Sequence, residues 1–208
     1  MEPIMASRSG LSTTLDQYDV LVLPGWHNSG AGHWQSRWEQ LFPTFRRVQQ
    51  DNWDTPQRED WIAALDQAIN ECKKPVLLIG HSLGCITIAH WARQHRHRVA
   101  GALLVAPADV ERRTVSTVLR RFAPIPSGRL PFPALLIGSD NDRCCDAWRA
   151  AELADQWGAE LHLAYGAGHI NADSGLGDWP EGLLLLEEWL RGVEARRPGP
   201  WRDVAWAA

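Results

Sequence analysis

The chain has 208 residues, of which 45% are hydrophobic and 22% are charged, and its formal net charge is −4 at pH 7. This length and composition are typical of one soluble globular domain that buries a sizeable core without disulfides or metals. The weak negative charge argues against nucleic acid and anionic membranes as partners, and no apolar run approaches the roughly 20 residues that a membrane helix needs.

Short apolar runs alternate with amphipathic segments along the chain. The predicted strands cover residues 19–24, 45–49, 75–80, 101–106, 133–138 and 160–164. The predicted helices begin near Trp34, after Pro56, at residue 83, near Asp146 and at Glu181. Continuous apolar strands separated by helices indicate a mostly parallel sheet covered on both faces, and right-handed crossovers make it a doubly wound α/β domain.

The predicted elements define one domain over residues 19–193. An N-terminal extension, 1–18, precedes this domain, and a C-terminal tail, 194–208, follows it. Residues 107–132 contain several Arg and Pro residues and are only weakly periodic. We expect this segment to form a small cap or a surface excursion.

Cysteine usage indicates a reducing compartment. The four cysteines are Cys72, Cys85, Cys144 and Cys145; the last two are adjacent, which is an awkward geometry for a disulfide. No C-x-x-C pair or Cys/His pair has the spacing of a zinc site. Residues 1–14 lack the apolar core of a signal peptide. We therefore expect a cytoplasmic protein.

Twelve tryptophans in a chain of this length are several times ordinary usage, and most of them fall at helical spacing. We interpret them as packing anchors of the core and of the helices, and the alternative is a surface that stacks against substrate. Trp201 and Trp206 offer the predicted tail a means of packing against the domain.

Residues 80–84, GHSLG, match the G-x-S-x-G pattern. The match follows an apolar strand directly and opens an apolar helix, which is the strand–turn–helix setting of a nucleophile elbow. Such a turn lifts the Ser82 hydroxyl above the sheet, and larger side chains in place of the two glycines would collide there. The alternative is a glycine-rich turn with an inert serine, which the strand–turn–helix setting makes the less favoured interpretation. The amide of Leu83, at the positive end of the helix, is a predicted oxyanion donor.

A serine hydroxyl needs a base, and in folds with such an elbow an acid and then a histidine follow the serine in the chain. His169 comes just after the last predicted strand and is the predicted base, in preference to His81 and His162. Asp140 and Asp142 both follow the fifth predicted strand. Because Asp140 can instead bond loop amides, we predict Asp142 as the acid.

The loop after the first predicted strand, residues 24–29, should supply the second oxyanion donor. Gly25 permits a tight turn, and the backbone N–H of Trp26 is the predicted donor, with that of His27 as the alternative. A plain loop whose side chains only pack is a further alternative.

The segments LPGWHNSGAGHW, GHSLGC, LLVAP, GSDND and GHINADSGLGDWPEG occur together in this chain. Over about residues 19–192 the chain resembles the small serine hydrolases grouped with retinoblastoma-binding protein 9 and the bacterial YdeN-like proteins. The resemblance implies a compact α/β-hydrolase fold with little or no cap and a triad of Ser82, Asp142 and His169. Relatives usually carry a Pro-containing segment after the acid, where this chain has RCC at residues 143–145.

These residues together predict a carboxylesterase-like serine hydrolase. It would cleave a small ester or related acyl bond of a small-molecule substrate through an acyl-enzyme on Ser82, with no metal or organic cofactor. An amidase or peptidase, a thioesterase and a C–C hydrolase can use the same triad and stay open as alternatives. A protein-binding module that keeps the hydrolase fold is an alternative from another class, and the intact triad order argues against it.

Overall fold

The computed structural model describes residues 13–94 and 99–196. The strands are β1 Asp19–Leu23, β2 Phe45–Arg47, β3 Val76–His81, β4 Val99–Val105, β5 Ala134–Ser139 and β6 Glu160–Ala164. The helices are α1 Trp34–Leu41, α2 Arg58–Asn70, α3 Leu83–Gln94, α4 Ala147–Trp157 and α5 Pro180–Ala195. Two short 3₁₀ helices, Leu119–Phe122 and Ala172–Ser174, lie in the connections.

All six strands run parallel in the order β2-β1-β3-β4-β5-β6. The chain moves outward from β1 to β2, returns past β1 to β3 and then continues in one direction to β6. This confirms the predicted doubly wound α/β fold. The strand order reverses between β1 and β3, and the loops at the carboxyl ends of two such strands form the crevice where α/β folds bind ligands.

Side chains of each strand point alternately to the two faces of the sheet. In β1, Val20 and Val22 belong to the core that also contains residues of α1 and α5, whereas Leu21 and Leu23 belong to the core that contains residues of α2, α3 and α4. Because helices cover both faces, both sets of side chains are buried. This explains why the strands are continuous apolar runs in the sequence.

Most described tryptophans pack inside these two cores, as predicted. Trp26 and Trp53 are half-buried, and Trp148 is 66% exposed. Trp201 and Trp206 lie outside the described residues, so their packing stays a prediction. The buried tryptophans are Trp34, Trp38, Trp61, Trp91, Trp157, Trp179 and Trp189.

The bounds of two strands differ from the prediction by two residues at one end, whereas the other strands match it to within one residue. β2 ends at Arg47, two residues early, although the Val48 amide still donates to the Val22 carbonyl at 2.9 Å. β4 begins at Val99, two residues early, because Val99 pairs with Val76 at a register irregularity that periodicity does not reveal.

Residues 107–132 pack down onto the helices and form no separate lid. The Phe122 side chain is fully buried against Trp61, with 5.7 Å between ring centroids, and the Phe122 carbonyl accepts a hydrogen bond from His90 Nε2 at 2.7 Å. The domain is therefore compact with a minimal cap, as predicted.

The predicted domain boundaries at residues 19 and 193 stay predictions. Within the predicted N-terminal extension, Leu15 and Tyr18 are buried in the core that contains α1 and α5. No helix in residues 13–94 and 99–196 is both long and apolar enough to cross a membrane.

Candidate active site

Ser82 occupies a tight turn between β3 and α3. Its φ of 54° lies in the left-handed region, and its amide donates to the Val105 carbonyl of β4 at 3.0 Å. A Cβ on Gly84 would lie 2.2 Å from the Leu23 carbonyl oxygen, and one on Gly80 would lie 2.8 Å from Ile88 Cδ1. The glycines of the G-x-S-x-G pattern are therefore required by close packing around a strained serine.

The structure brings Ser82, His169 and Asp142 together. His169 Nε2 lies 2.9 Å from Ser82 Oγ, and His169 Nδ1 lies 2.8 Å from Asp142 Oδ2 and 3.0 Å from Asp142 Oδ1. The Asp142 side chain is only 1% exposed, and its Oδ1 also accepts the Cys144 amide at 2.7 Å. A carboxylate in this position fixes the Nδ1–H tautomer, so that Nε2 can accept a proton from the serine hydroxyl.

Two neighbouring side chains hold the loops after β5 and β6 together. Asp140 Oδ1 accepts the Gly166 amide at 2.7 Å, and Asn141 Oδ1 accepts the Gly168 amide at 2.7 Å and the Ser139 hydroxyl at 2.9 Å. Asp140 is therefore engaged with a loop amide, as the sequence suggests. Asp142, the next acidic residue along the loop, is the one whose carboxylate faces His169.

His169 has a strongly basic imidazole. Burial disfavours its charged form, but the hydrogen bonds to Asp142 and the interaction with the nearby Cys144 side chain outweigh burial and raise the pKa of His169 from 6.5 to about 9. The proximity of Cys144 is not predictable from the sequence, because no local motif links a cysteine of one loop to a histidine of another. One ligand atom each from Asp142, Cys144 and His169 lies within 4.8 Å of the others.

The loop after β1 lies directly against Ser82. A Cβ on Gly25 would lie 2.7 Å from Ser82 Cβ and 3.2 Å from its Oγ. The His27 amide donates to the Trp53 carbonyl at 3.1 Å, so it is already engaged. The Trp26 ring stacks on His27 and donates through Nε1 to the Asp54 carbonyl at 2.9 Å. The His27 amide is therefore engaged elsewhere, and the assignment of the Trp26 amide as oxyanion donor stays a prediction.

His81, the other histidine near the site, has a different position from His169. It is buried, with its ring centroid 5.0 Å from that of His169, and its Nε2 lies 2.9 Å from the His169 carbonyl oxygen. Burial, with the nearby His169 and His33, lowers the pKa of His81 well below 6.5, so it donates to that carbonyl as a neutral ring. His162, the remaining alternative, lies within β6.

Helix α1 fixes the segment that follows His169. Trp34 Nε1 donates to the Ile170 carbonyl at 2.8 Å, and Trp38 Nε1 donates to the Asp178 carbonyl at 2.8 Å. Ile170 is fully buried with a φ of 46°, so its backbone is held in the left-handed region. The tryptophans of this helix therefore set the backbone position of the loop that carries the histidine.

Comparisons with known proteins identify the family of the chain. The serine hydrolase family matches residues 20–188. A YdeN-like hydrolase from Pectobacterium atrosepticum is 34% identical, with a TM-score of 0.82 over 90% of this chain and 98% of that one. No curated protein sequence matches the chain.

More distant structures share the fold. The ydeN gene product of Bacillus subtilis is 21% identical, with a TM-score of 0.69 over 86% of this chain and 100% of that one. The carboxylesterase CesB of Bacillus subtilis is 14% identical, with a TM-score of 0.57 over 92% of this chain and 99% of that one. The chain therefore belongs to the serine hydrolase family, is similar to its YdeN-like members, and is an enzyme of the hydrolase class.

Proposed function

We propose that the protein hydrolyses a small ester or related acyl bond through an acyl-enzyme on Ser82, with His169 as the base and Asp142 as its orienting acid. One observation carries this proposal: a continuous line of hydrogen bonds joins the strained serine to the imidazole at 2.9 Å and the imidazole to a buried carboxylate at 2.8 Å. An inert serine in a glycine-rich turn has no need of either contact.

In the proposed reaction, Ser82 Oγ bonds to the substrate carbonyl carbon while His169 Nε2 takes the hydroxyl proton. The carbonyl π electrons move onto the oxygen, and collapse of this intermediate expels the alcohol, which takes the proton from the imidazolium. Water then attacks the acyl-enzyme in the same manner, so the products are a carboxylic acid and regenerated Ser82. Asp142 stays ionised throughout and stabilises the imidazolium.

We propose that the backbone amides of Leu83 and Trp26 bind the oxyanion. Leu83 is the first residue of α3, where amides lack helical partners and the helix dipole favours negative charge. Support for Trp26 comes from its neighbour Gly25, whose backbone lies against Ser82, and from the engagement of the His27 amide elsewhere. Loss of one oxyanion donor costs on the order of 10²- to 10³-fold in kcat in other serine hydrolases.

A fluorophosphonate probe tests the nucleophile. The unmodified protein should be labelled once, and peptide mapping should place the label on Ser82. Ser82→Ala should abolish labelling and lower kcat by several orders of magnitude while the circular dichroism spectrum is retained. Ser116→Ala, which changes a serine in the 107–132 segment, is the control and should be labelled normally. Labelling that survives in Ser82→Ala would refute the assignment.

A substrate panel separates the alternatives on the same triad. Matched p-nitrophenyl esters, thioesters and aminoacyl amides with a common acyl group should be compared by kcat/KM. We expect kcat/KM to be highest for the esters. A higher value for the thioesters or the amides would identify the enzyme as a thioesterase or an amidase instead. A labelled protein with no turnover on any of them would favour the protein-binding alternative.

We also propose a cytoplasmic location. The four cysteines are free thiols, which is the state that a reducing compartment maintains. Fractionation of cells that express the tagged protein would test this, and recovery outside the cytoplasm would contradict it.

A further inference from the structure

Three different donor types meet at the acid–base pair of the site. The ligand atoms of Asp142, Cys144 and His169, which are a carboxylate oxygen, a thiol sulfur and an imidazole nitrogen, lie within 4.8 Å of one another. Such a set suits a borderline-soft divalent cation, because Zn²⁺ binds thiolate, imidazole and carboxylate together whereas Mg²⁺ and Ca²⁺ select oxygen.

The cluster is held in place by the surrounding backbone. The Cys144 amide donates to Asp142 Oδ1 at 2.7 Å, and the Cys144 carbonyl accepts the Asp109 amide at 3.1 Å. These two bonds fix the peptide units on either side of Cys144 Cα and hence the direction of its Cα–Cβ bond. Cys144 is also partly exposed, as is His169, so an ion can reach the cluster from solvent.

We propose that Asp142, Cys144 and His169 form an inhibitory site for a thiophilic divalent cation such as Zn²⁺. A tetrahedral ion with bonds of 2.0–2.3 Å holds its ligands about 3.3–3.7 Å apart. The 2.8 Å contact between Asp142 and His169 must therefore open by less than about 1 Å, while the thiol can approach from its present distance. Water takes the fourth position.

Metal binding at this place stops the proposed acyl transfer through the tautomer of His169. The ion occupies Nδ1, the nitrogen that faces Asp142, so the single proton of the neutral ring resides on Nε2. Nε2 then donates to Ser82 and has no lone pair to accept the serine proton. Cys144 releases its thiol proton to solvent on binding. The inhibition rests on the proposed function, whereas the metal binding does not.

Co²⁺ titration tests the binding without any assay of activity. Tetrahedral Co²⁺ bound to a thiolate gives a charge-transfer band in the near ultraviolet, which should appear on titration of the wild-type protein and of Ser82→Ala. Cys144→Ala should lose the band. Its affinity for Zn²⁺, measured in competition with a chelator, should fall at least as far as when an outer-shell partner is lost, which is roughly 10- to 100-fold. The matched control is Cys145→Ala, since Cys145 is buried with its Sγ 3.8 Å from the Asp146 carbonyl oxygen. It should keep the band.

Ester turnover then tests the inhibition. Zn²⁺ should abolish turnover by the wild-type protein and by Cys145→Ala, and ethylenediaminetetraacetate should restore it. At the same Zn²⁺ concentration, Cys144→Ala should keep the rate that it has without metal. Absence of the thiolate band in the wild type, or its persistence in Cys144→Ala, would overturn the metal site whatever the enzyme's activity. A metal-bound protein that never hydrolyses esters would instead overturn the proposed function.

Discussion

Asp140 and Asp142 lie two residues apart on the loop after β5, and their carboxylates meet different partners. Asp140 accepts a backbone amide, that of Gly166, at an exposed position, whereas Asp142 is buried beneath His169. A buried carboxylate beside an imidazole stabilises the positive ring that forms during proton transfer. A carboxylate that holds a loop amide can be replaced by an amide oxygen with little change.

This difference predicts unequal effects of two conservative substitutions. Asp142→Asn should leave a folded protein whose kcat falls by roughly 10³- to 10⁴-fold, because the ring loses both its orienting acceptor and its charge partner. Asp140→Asn keeps an oxygen that can accept the Gly166 amide, so kcat should fall by less than about tenfold. The test is to measure kcat of both variants on one ester by steady-state kinetics, and thermal unfolding shows whether each variant is folded. A larger loss in Asp140→Asn would exchange the two roles.

The raised pKa of His169 sets the pH dependence. Only the neutral imidazole can accept the serine proton, and below its pKa of about 9 the ring is mostly charged. The value of kcat/KM should therefore rise with pH and reach half its maximum near pH 9. Because the interaction with the Cys144 side chain helps to raise this pKa, Cys144→Ala should move the midpoint to lower pH. An unchanged or higher midpoint in metal-free buffer would contradict the contribution of Cys144.

The residues of the site differ in how far the sequence predicts them. Ser82 follows from a local pattern, because it lies directly after an apolar strand, and His169 follows from its place in the loop after the last strand, because the fold sets the chain order of the triad. Cys144 does not, since its contact with His169 depends on how two loops are folded against each other. The same loops bury Asp142 and leave Asp140 exposed, a difference that periodicity does not contain.

At the scale of elements, helix α1 supports the loop that carries the base. Its tryptophans are buried as helical spacing predicts, but their indole N–H groups also hold backbone carbonyls more than a hundred positions away in the chain. Spacing indicates which face of a helix is apolar, whereas the partner of a buried polar atom depends on tertiary packing. A helix that looks purely structural in the sequence therefore positions the site.

Trp34→Phe tests this positioning. It keeps an aromatic ring in the core but leaves the Ile170 carbonyl without its donor, which costs about 1–3 kcal/mol for a buried group. Because Ile170 follows His169 directly, kcat should fall by more than KM changes, and urea denaturation should show reduced stability. Trp148→Phe, at an exposed tryptophan on α4, is the control and should change neither. A Trp34→Phe protein that is destabilised but has an unaltered kcat would limit α1 to a structural role.

At the scale of the whole molecule, the minimal cap determines what lies above Ser82. The sequence of residues 107–132 is compatible with either a cap or a surface excursion, because its weak periodicity does not reveal what Phe122 packs against. In the structure this side chain is fully buried against α2 and α3. An open groove of about 810 Å³ lies between β2 and α2, but residues such as Arg47 and Gln67 line it and no residue of the site does.

This architecture predicts a preference for short acyl chains. Each methylene that enters a covered apolar tunnel gains about 0.8 kcal/mol, or nearly fourfold in kcat/KM, so an enzyme with such a tunnel improves steadily as the chain lengthens. Here the insertion between β4 and β5 packs onto the helices, and the Trp26 ring beside the site is fixed by its bond to the Asp54 carbonyl. Additional methylenes should therefore stay in water and contribute nothing. Across p-nitrophenyl esters from acetate to dodecanoate, kcat/KM should reach its greatest value at roughly two to six carbons and should not increase with longer chains. A steady rise to the longest chains, measured below their critical micelle concentrations, would show that a covered acyl channel exists above Ser82.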